Sequence, residues 1–212
     1  GWHQGNPCEG VKRYPERARE AWLDEHDLPK FLDVLDHQEG PDFELIRFLT
    51  VTGWRVTEGR TLTFDMVDEM RMIARLPDTK TGGQVRGLSD DAMTLIMRQP
   101  HRHGFVFSNM HGRRSIGYTS VLKALRSICM AAEIPVITPH TLRHTAATWA
   151  AMSGAEAHEL REAFGWKTLA MTARYVSRSE ALARRGAQRA ADAMNVLRKH
   201  PAEILGADQN GS

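Results

Sequence analysis

Cysteine is scarce in this chain, whose 212 residues include only Cys8 and Cys129. Two thiols so far apart in sequence are too few for a disulfide framework or a thiolate metal cluster, so both are expected to be free. The chain also lacks any apolar run near the roughly 20 residues that a membrane-spanning helix needs. Its first residues lack the charged and then apolar order of a signal peptide. These absences exclude disulfide-stapled and membrane-spanning classes and predict a cytoplasmic protein.

The composition is that of an ordinary globular protein, with 42% hydrophobic and 25% charged residues, enough for one well-buried domain or one domain with a small appendage. Charge is unevenly distributed, because residues 1–97 carry 12 Lys and Arg against 18 Asp and Glu, whereas residues 98–199 carry 16 against 6. The net charge is therefore −6 in the first part and +10 in the second. A basic half is typical of a protein with an anionic partner, most often nucleic acid, although a solvated basic surface is the alternative.

Hydrophobic periodicity and end signals predict a mainly helical chain with one small sheet. Short apolar runs at 64–67, 70–76 and 84–88 predict antiparallel strands with Lys80 at a hairpin tip. The predicted helices cover 28–39, Pro41 to a stop at Gly53, 89–97, 115–133, 138–153, 156–164, 168–176 and 179–199. We expect residues 1–27 to be a linker or lead-in segment and residues 201–212 to be a flexible tail.

The most informative stretch is 139–145, where Pro139 can open a helix behind a Thr138 cap. His140 and Arg143 then share one face near free backbone N–H groups, an arrangement that suits a phosphate. An ordinary capped helix with surface His and Arg is the alternative. Metal binding by His140 and His144 is another, but no Glu of the zinc-protease pattern and no Cys accompanies them. The loop histidines are interpreted as surface residues: His101, His103 and His111.

Three short stretches of the chain combine Gly, Arg, His and aromatic residues in a fixed order. Residues 52–58 read T-G-W-R-V-T-E, residues 140–148 read H-T-L-R-H-T-A-A-T, and residues 164–166 read F-G-W and are followed nine residues later by Tyr175. These stretches resemble the three boxes of the tyrosine recombinases, the phage integrase family: T-G-x-R-x-S-E with Thr57 in the Ser place, H-x-L-R-H-T-x-A-T without a gap, and L-G-H followed nine residues later by Y. Ordered boxes that agree in residue type and spacing make a strong signal, whereas any single box would be weak.

The resemblance implies a DNA strand transferase that needs neither metal nor ATP. Tyr175 would be the nucleophile that forms a 3′-phosphotyrosyl link, and it must be activated because a phenol has a pKa of about 10. Arg55 and Arg143 would hold the phosphate oxygens with planar, permanently charged forks.

The remaining site residues also come from the resemblance. Lys80 would protonate the leaving 5′ oxygen, and His140 would accept a proton or bind a phosphate oxygen. Trp166 replaces the usual His and would donate through its indole N–H, although it cannot exchange a proton. Lys167 replaces the usual small polar residue. Three residues would serve as structural support: Glu58, Asp65 and His144.

The fold that the resemblance implies is an α+β, mainly helical catalytic domain over residues 28–180 with a three-stranded antiparallel sheet. Residues 181–200 would form a C-terminal helix available for exchange between protomers. Residues 1–27 are too short to form the family's N-terminal core-binding domain, which is expected to be absent from this chain. The partners implied are double-stranded DNA and, for the full-length protein, a homotetramer on two DNA sites; the isolated domain would be monomeric.

Two other functions compete with site-specific integration or excision. A topoisomerase-like enzyme would relax supercoils without exchanging strands, but the long match around His140 disfavours it. A DNA-binding regulator with vestigial catalytic residues would lack a Tyr or Arg, and none is missing. Plausible contacts to the DNA backbone lie on basic segments: Arg113, Arg114, Lys123 and Arg126.

Overall fold

The computed structural model describes residues 22–79, 82–176, 187–188 and 191–192. Three antiparallel strands form one sheet in the order β1-β2-β3, with Val67 opposite Ala74 and Ile73 opposite Gly87. The strands are β1 (Val67–Asp68), β2 (Ile73–Thr79) and β3 (Gly82–Gly87). The helices are α1 (Asp27–Asp36), α2 (Pro41–Thr52), α3 (Val56–Thr61), α4 (Asp90–Met97), α5 (Tyr118–Ala131), α6 (Pro139–Ser153), α7 (Ala157–Phe164) and α8 (Ala170–Val176). The predicted α+β class, mainly helical with a small antiparallel sheet, is confirmed.

Helix α6 begins and ends where its local sequence predicts. The Thr138 hydroxyl accepts a hydrogen bond from the Thr141 N–H at 3.3 Å, and the Thr141 hydroxyl accepts one from the Thr138 N–H at 3.2 Å. This reciprocal cap satisfies backbone donors that the first turn leaves unpaired. Gly154 then ends the helix in the left-handed region with φ of 104°, a conformation that glycine adopts at little cost.

Two local elements differ in kind from the sequence prediction, and β2 begins at Ile73, three residues later than predicted. Residues 64–66 form a 3₁₀ turn before β1, not the start of a strand. Helix α3 was not predicted, because its six residues carry no apolar periodicity. Its position depends on packing against α2: a Cβ on Gly59 would lie 3.0 Å from side-chain atoms of both Leu45 and Leu49. A hydrogen at that position lets the two helices approach closely.

Helix α2 is the centre of the packing and contacts α3, α4, α5 and α6. Its apolar residues belong to the larger of two buried clusters, which also takes in α1, α4, α5 and the sheet. The smaller cluster joins α6, α7 and α8 and consists of Ala147, Ala151, Leu160, Phe164, Trp166 and Tyr175. Two of the residues singled out from the sequence, Trp166 and Tyr175, are therefore part of this second core.

The segment before α1 packs onto α6. Leu23 is 2% exposed, its N–H donates to the Thr145 hydroxyl at 2.9 Å, and its carbonyl accepts from the indole of Trp149 at 3.0 Å. Residues 1–21 of the predicted linker lie outside the described residues. So do the tail at 201–212 and most of the predicted helix at 181–200, of which 187–188 and 191–192 are helical. Within the part of the chain that is described, no helix combines the length and apolarity needed to cross a membrane.

Candidate active site

Arg143, near the start of α6, joins that helix to the ends of two others. Its Nη1 donates to the carbonyl of Gly53, just after α2, at 2.8 Å. Its Nη2 donates to the carbonyl of Phe164, the last residue of α7, at 2.5 Å. Arg143 is 6% exposed, so the backbone fixes its guanidinium before any ligand binds. An arginine carries more N–H donors than these two bonds use, which leaves others for an oxyanion.

Positive charge is concentrated around Arg143. The pKa of its guanidinium falls to about 10, chiefly because the group is buried and then because Arg55 and Arg86 repel it, while Glu58 and Tyr175 oppose the shift. Arg143 is still protonated at neutral pH. An anion bound among these cations would relieve their mutual repulsion, so the cluster is organised for a negatively charged ligand.

Arg55 precedes α3 and is tied to Glu58 in the first turn of that helix. Glu58 accepts hydrogen bonds from the backbone N–H of Arg55 at 2.9 Å and from its Nη1 at 2.7 Å. The side chain of Arg55 is 41% exposed, whereas that of Glu58 is 10% exposed. A mostly buried carboxylate therefore orients a guanidinium that retains access to solvent, the geometry expected if Glu58 supports Arg55.

Arg86 of β3 is a site residue that the sequence analysis missed. Its side chain has 0% exposure, and its Nη2 donates to Glu58 at 3.1 Å and to Gln84 at 2.9 Å. Its Nη1 donates to the carbonyl of Ala163 at 3.2 Å. Burial lowers the pKa of Arg86, and Glu58 opposes that effect. Glu58 is thus shared by two arginines, Arg55 and Arg86.

The alternation of side chains along β3 indicates that Arg86 is buried. Side chains alternate between the two faces of a strand, so Arg86 shares a face with Leu88, which is 6% exposed, while Val85 on the other face is 59% exposed. A charged side chain on the inward face needs compensating partners. Even so, its Nε has no hydrogen-bond partner among the described residues.

Tyr175 of α8 lies at one end of a stack of three aromatic rings. Trp166 stacks on Tyr175 with ring centroids 5.1 Å apart and an interplanar angle of 8°. On its other side Trp166 stacks on Phe164 at 5.0 Å and 16°. The guanidinium carbon of Arg143 lies 5.4 Å from the centroids of both Phe164 and Trp166. Arg143, Trp166 and Tyr175 thus belong to one cluster, and the two aromatic residues are each 8% exposed.

The two histidines of α6 have different surroundings. His144 is half-buried, and its Nδ1 lies 2.5 Å from the hydroxyl oxygen of Tyr175. His140, one turn earlier, is exposed, and its side chain makes no hydrogen bond within the part of the chain that the structure describes. The resemblance implies that His144 is structural support. Its contact with the Tyr175 hydroxyl cannot be predicted from the sequence, because that contact depends on how α8 docks on α6.

Not every predicted site residue is placed in the cluster around Arg143. Lys80 lies outside the described residues, so its predicted role stays a prediction. The resemblance implies that Asp65 supports Arg55 and the adjoining helix, but Asp65 is exposed and, among the described residues, makes no hydrogen bond or ion pair with Arg55. All four predicted DNA contacts are exposed: Arg113, Arg114, Lys123 and Arg126.

A cleft of about 290 Å³ lies beside the cluster, between β3 and the end of α7. Arg86, Trp166 and Lys167 are among its lining residues. Within the described ranges, no three or more His, Cys, Asp or Glu side chains lie close enough together to hold a metal ion.

Comparison with known proteins identifies the family. The pattern of the phage integrase family matches residues 21–181. The chain belongs to this family. The resemblance seen in the three boxes is confirmed.

The similarities extend to individual integrases. The integrase of Haemophilus phage HP1 (strain HP1c1) is 30% identical over 179 residues, which are 82% of this chain and 49% of that protein. The structure of the catalytic domain of bacteriophage HP1 integrase aligns with a TM-score of 0.60 and 25% identity, covering 79% of this chain and 94% of that domain. XerH recombinase bound to its difH substrate aligns with a TM-score of 0.65 over 89% of this chain and 56% of that one; at 18% identity it shows the fold alone.

The chain spans about half the length of the curated relatives that it matches, 49% of the HP1 integrase and 44% of the integrase of Salmonella phage P22.

Proposed function

We propose that this member of the phage integrase family is the catalytic part of a site-specific DNA recombinase. It would cleave and rejoin DNA through a 3′-phosphotyrosyl intermediate and so integrate or excise a phage or other mobile element. The observation that carries the proposal is the cluster of Arg143, Trp166 and Tyr175, with Arg55 close enough to shift the pKa of Arg143. Residues from three separate boxes converge at one cationic site.

In the proposed reaction the Tyr175 oxygen bonds to the phosphorus and the bond to the 5′ oxygen breaks. Negative charge on the non-bridging oxygens grows in the transition state, and Arg55 and Arg143 neutralise it. Arg143 is held by the carbonyls of Gly53 and Phe164, so its position costs little reorganisation when the phosphate arrives. Because the phosphotyrosyl link conserves the energy of the phosphodiester, rejoining requires no ATP.

The other predicted residues complete the proposal. His140, exposed at the start of α6, would contact a phosphate oxygen. Trp166 would donate its indole N–H, which makes no hydrogen bond to any described residue. Lys80 would be the acid for the 5′ oxygen, as the resemblance implies. The partner is double-stranded DNA, and a homotetramer of the whole protein on two sites would exchange the strands.

A covalent-adduct assay tests the proposal. The chain would be incubated with a pool of nicked duplexes of randomised sequence, with and without EDTA, and analysed on a denaturing gel. We expect a DNA adduct that forms in EDTA and is lost in Tyr175→Phe, which removes one oxygen atom. An adduct that persists in Tyr175→Phe, or no adduct from the wild-type chain, contradicts the proposal. Plasmid relaxation without strand exchange would favour the topoisomerase-like alternative.

A further inference from the structure

The Tyr175 hydroxyl contacts a histidine, and it is not the histidine that the sequence boxes mark as catalytic. The Nδ1 of His144 lies 2.5 Å from the Tyr175 oxygen, and the two ring centroids are 5.9 Å apart. A base must lie within hydrogen-bond reach of the proton that it removes. His144 meets that condition, whereas His140 is exposed and shares no hydrogen bond with Tyr175.

The surroundings of the pair hold its two rings in place. Trp166 stacks on the tyrosine ring, and α6 carries His144 on a rigid element, so neither ring needs to move to keep the contact. A neutral imidazole whose Nε2 carries the hydrogen offers Nδ1 as an acceptor. In that tautomer the Tyr175 O–H donates to His144.

The nearest charged groups bear on when the proton moves. On α6, Arg143 interacts electrostatically with Tyr175, and Arg55 repels Arg143 from the α2–α3 junction. Transfer of the phenol proton would leave a positive imidazolium at His144 and a negative oxygen at Tyr175, so the net charge of the group does not change, and Arg143 stabilises that oxygen. When the oxygen bonds to phosphorus its negative charge is lost, and the phosphate then balances the imidazolium. We therefore expect the proton to move as the DNA phosphate reacts.

We propose that His144 is the proton acceptor for Tyr175, an inference that rests on the proposed function. During cleavage the phenol proton moves to Nδ1 of His144 as the tyrosine oxygen bonds to phosphorus. The bond between phosphorus and the 5′ oxygen breaks, and that oxygen takes a proton from the acid, for which the resemblance names Lys80. During rejoining the 5′ hydroxyl returns its proton to that same group as its oxygen bonds to phosphorus, the bond between phosphorus and the Tyr175 oxygen breaks, and His144 returns its proton to that oxygen. His140 remains a ligand for the phosphate.

Adduct formation by three variants tests the assignment under single-turnover conditions. His144→Asn keeps an acceptor near the Nδ1 position but does not titrate near neutral pH, His144→Phe removes the acceptor, and His158→Asn on α7 is a matched control because His158 is a surface residue with its side chain 66% exposed. The probes are duplexes that the wild-type chain captures covalently from the randomised pool. Rates are measured between pH 5.5 and 9 at saturating DNA.

For wild type and His158→Asn we expect a rate that falls toward the acidic end of this range, because a protonated imidazole cannot accept the phenol proton. Both His144 variants should be slower by about 10²–10⁴-fold, the usual contribution of a general base, and His144→Asn should lose the acidic limb. DNA affinity should not change. A His144→Asn rate equal to or above that of wild type, or an unchanged acidic limb, overturns the proposal. Loss of all adduct in wild type overturns the proposed function instead.

An NMR measurement tests the pair without DNA. The chain labelled with ¹⁵N-histidine is compared with Tyr175→Phe, which preserves the ring and its stacking. We expect His144 to show the Nε2–H tautomer in wild type, and its ring ¹⁵N shifts and titration midpoint to change in Tyr175→Phe. Those of His158 should not change. Identical His144 spectra in the two proteins would overturn the proposal, even if the His144 variants prove too unstable for kinetics.

Discussion

The guanidinium of Arg86 occupies the space that a side chain on Gly165 would need. A Cβ built on Gly165 clashes with Nη1, Cζ and Nη2 of Arg86. Gly165 ends α7 in the left-handed region with φ of 56°. The glycine of the third box thus lets the turn before Trp166 close over a buried cation, and it links the sheet to the aromatic stack.

Gly165→Ala should therefore destabilise the domain. The left-handed backbone costs a non-glycine residue about 1–2 kcal/mol, and overpacking against Arg86 adds about 1–3 kcal/mol. Urea unfolding followed by circular dichroism measures the loss. Gly87→Ala is the matched control, because a Cβ there meets nothing within 4 Å. Equal stability of the two variants would show that Arg86 does not fill this space.

Arg86→Met should be among the most destabilising single substitutions in the sheet. It removes the cation between Glu58 and the Ala163 carbonyl, leaving a mostly buried carboxylate without one partner, at a cost of about 3–5 kcal/mol. Urea unfolding gives the value. Arg75→Met on β2 is the control, since Arg75 pairs with Asp68 at 3.1 Å but its side chain is 50% exposed, and its effect should be much smaller. Comparable losses of unfolding free energy in Arg86→Met and Arg75→Met would mean that the burial of Arg86 contributes little to the cost of removing it.

The sequence predicts an element well where the determinants of that element are local. Thr138, Pro139 and Gly154 define α6 through their own hydrogen bonds and backbone angles, so the helix that carries Arg143 could be predicted to the residue. Elements whose determinant is a tertiary contact cannot be predicted in this way. Helix α3 depends on Gly59 meeting α2. The contact between His144 and Tyr175 joins residues of two helices, and no spacing rule within either helix encodes it.

The same distinction between local determinants and tertiary contacts explains why the role of Arg86 could not be predicted. Its inward position follows from strand alternation, but its three partners come from β3, α3 and α7, which the linear pattern does not bring together. The boxes marked Arg55 and Trp166 without indicating that a buried arginine links their neighbourhoods. Glu58 is the exception, because it lies three residues after Arg55, in the first turn of the short helix that follows.

Cys129 should resist thiol reagents in the folded chain. It is 0% exposed, and burial raises the pKa of its thiol, so both access and ionisation are suppressed. In a Cys8→Ser background, labelling of Cys129 by a disulfide reagent at pH 8 should follow the rate of opening, and urea should accelerate it. Rapid labelling of the folded chain would contradict the buried position.

The same thiol gives a pH dependence of stability with a definite sign. Its folded pKa is above the unfolded value, so as the pH rises the unfolded chain loses the thiol proton first. The stabilising contribution is complete below the unfolded pKa and declines above it. Between pH 8 and 10 the wild type should therefore lose stability relative to Cys129→Ala, measured by urea unfolding at each pH. Parallel stability curves would contradict this.

The exposed cations of α5 should bind DNA in a salt-dependent way. Arg126→Gln removes one predicted phosphate contact, so the slope of log affinity against log salt should fall by about 1. Fluorescence anisotropy with a labelled duplex at several salt concentrations measures the slope. Arg102→Gln is the control, since Arg102 is also exposed in the basic part of the chain but was not predicted to contact DNA. Equal slopes for the two variants would remove Arg126 from the interface.

Arg143→Lys should impair both stability and chemistry although it keeps the charge. An ammonium cannot donate to the Gly53 and Phe164 carbonyls while also presenting a fork to a phosphate. Each buried carbonyl left without its donor costs about 1–3 kcal/mol, and loss of an oxyanion donor slows such reactions about 10²–10³-fold. Urea unfolding and the covalent-adduct rate measure the two effects. Arg71→Lys, whose side chain is 71% exposed, is the matched control. An unchanged adduct rate in Arg143→Lys would mean that Arg143 only braces the three helices and does not bind the phosphate.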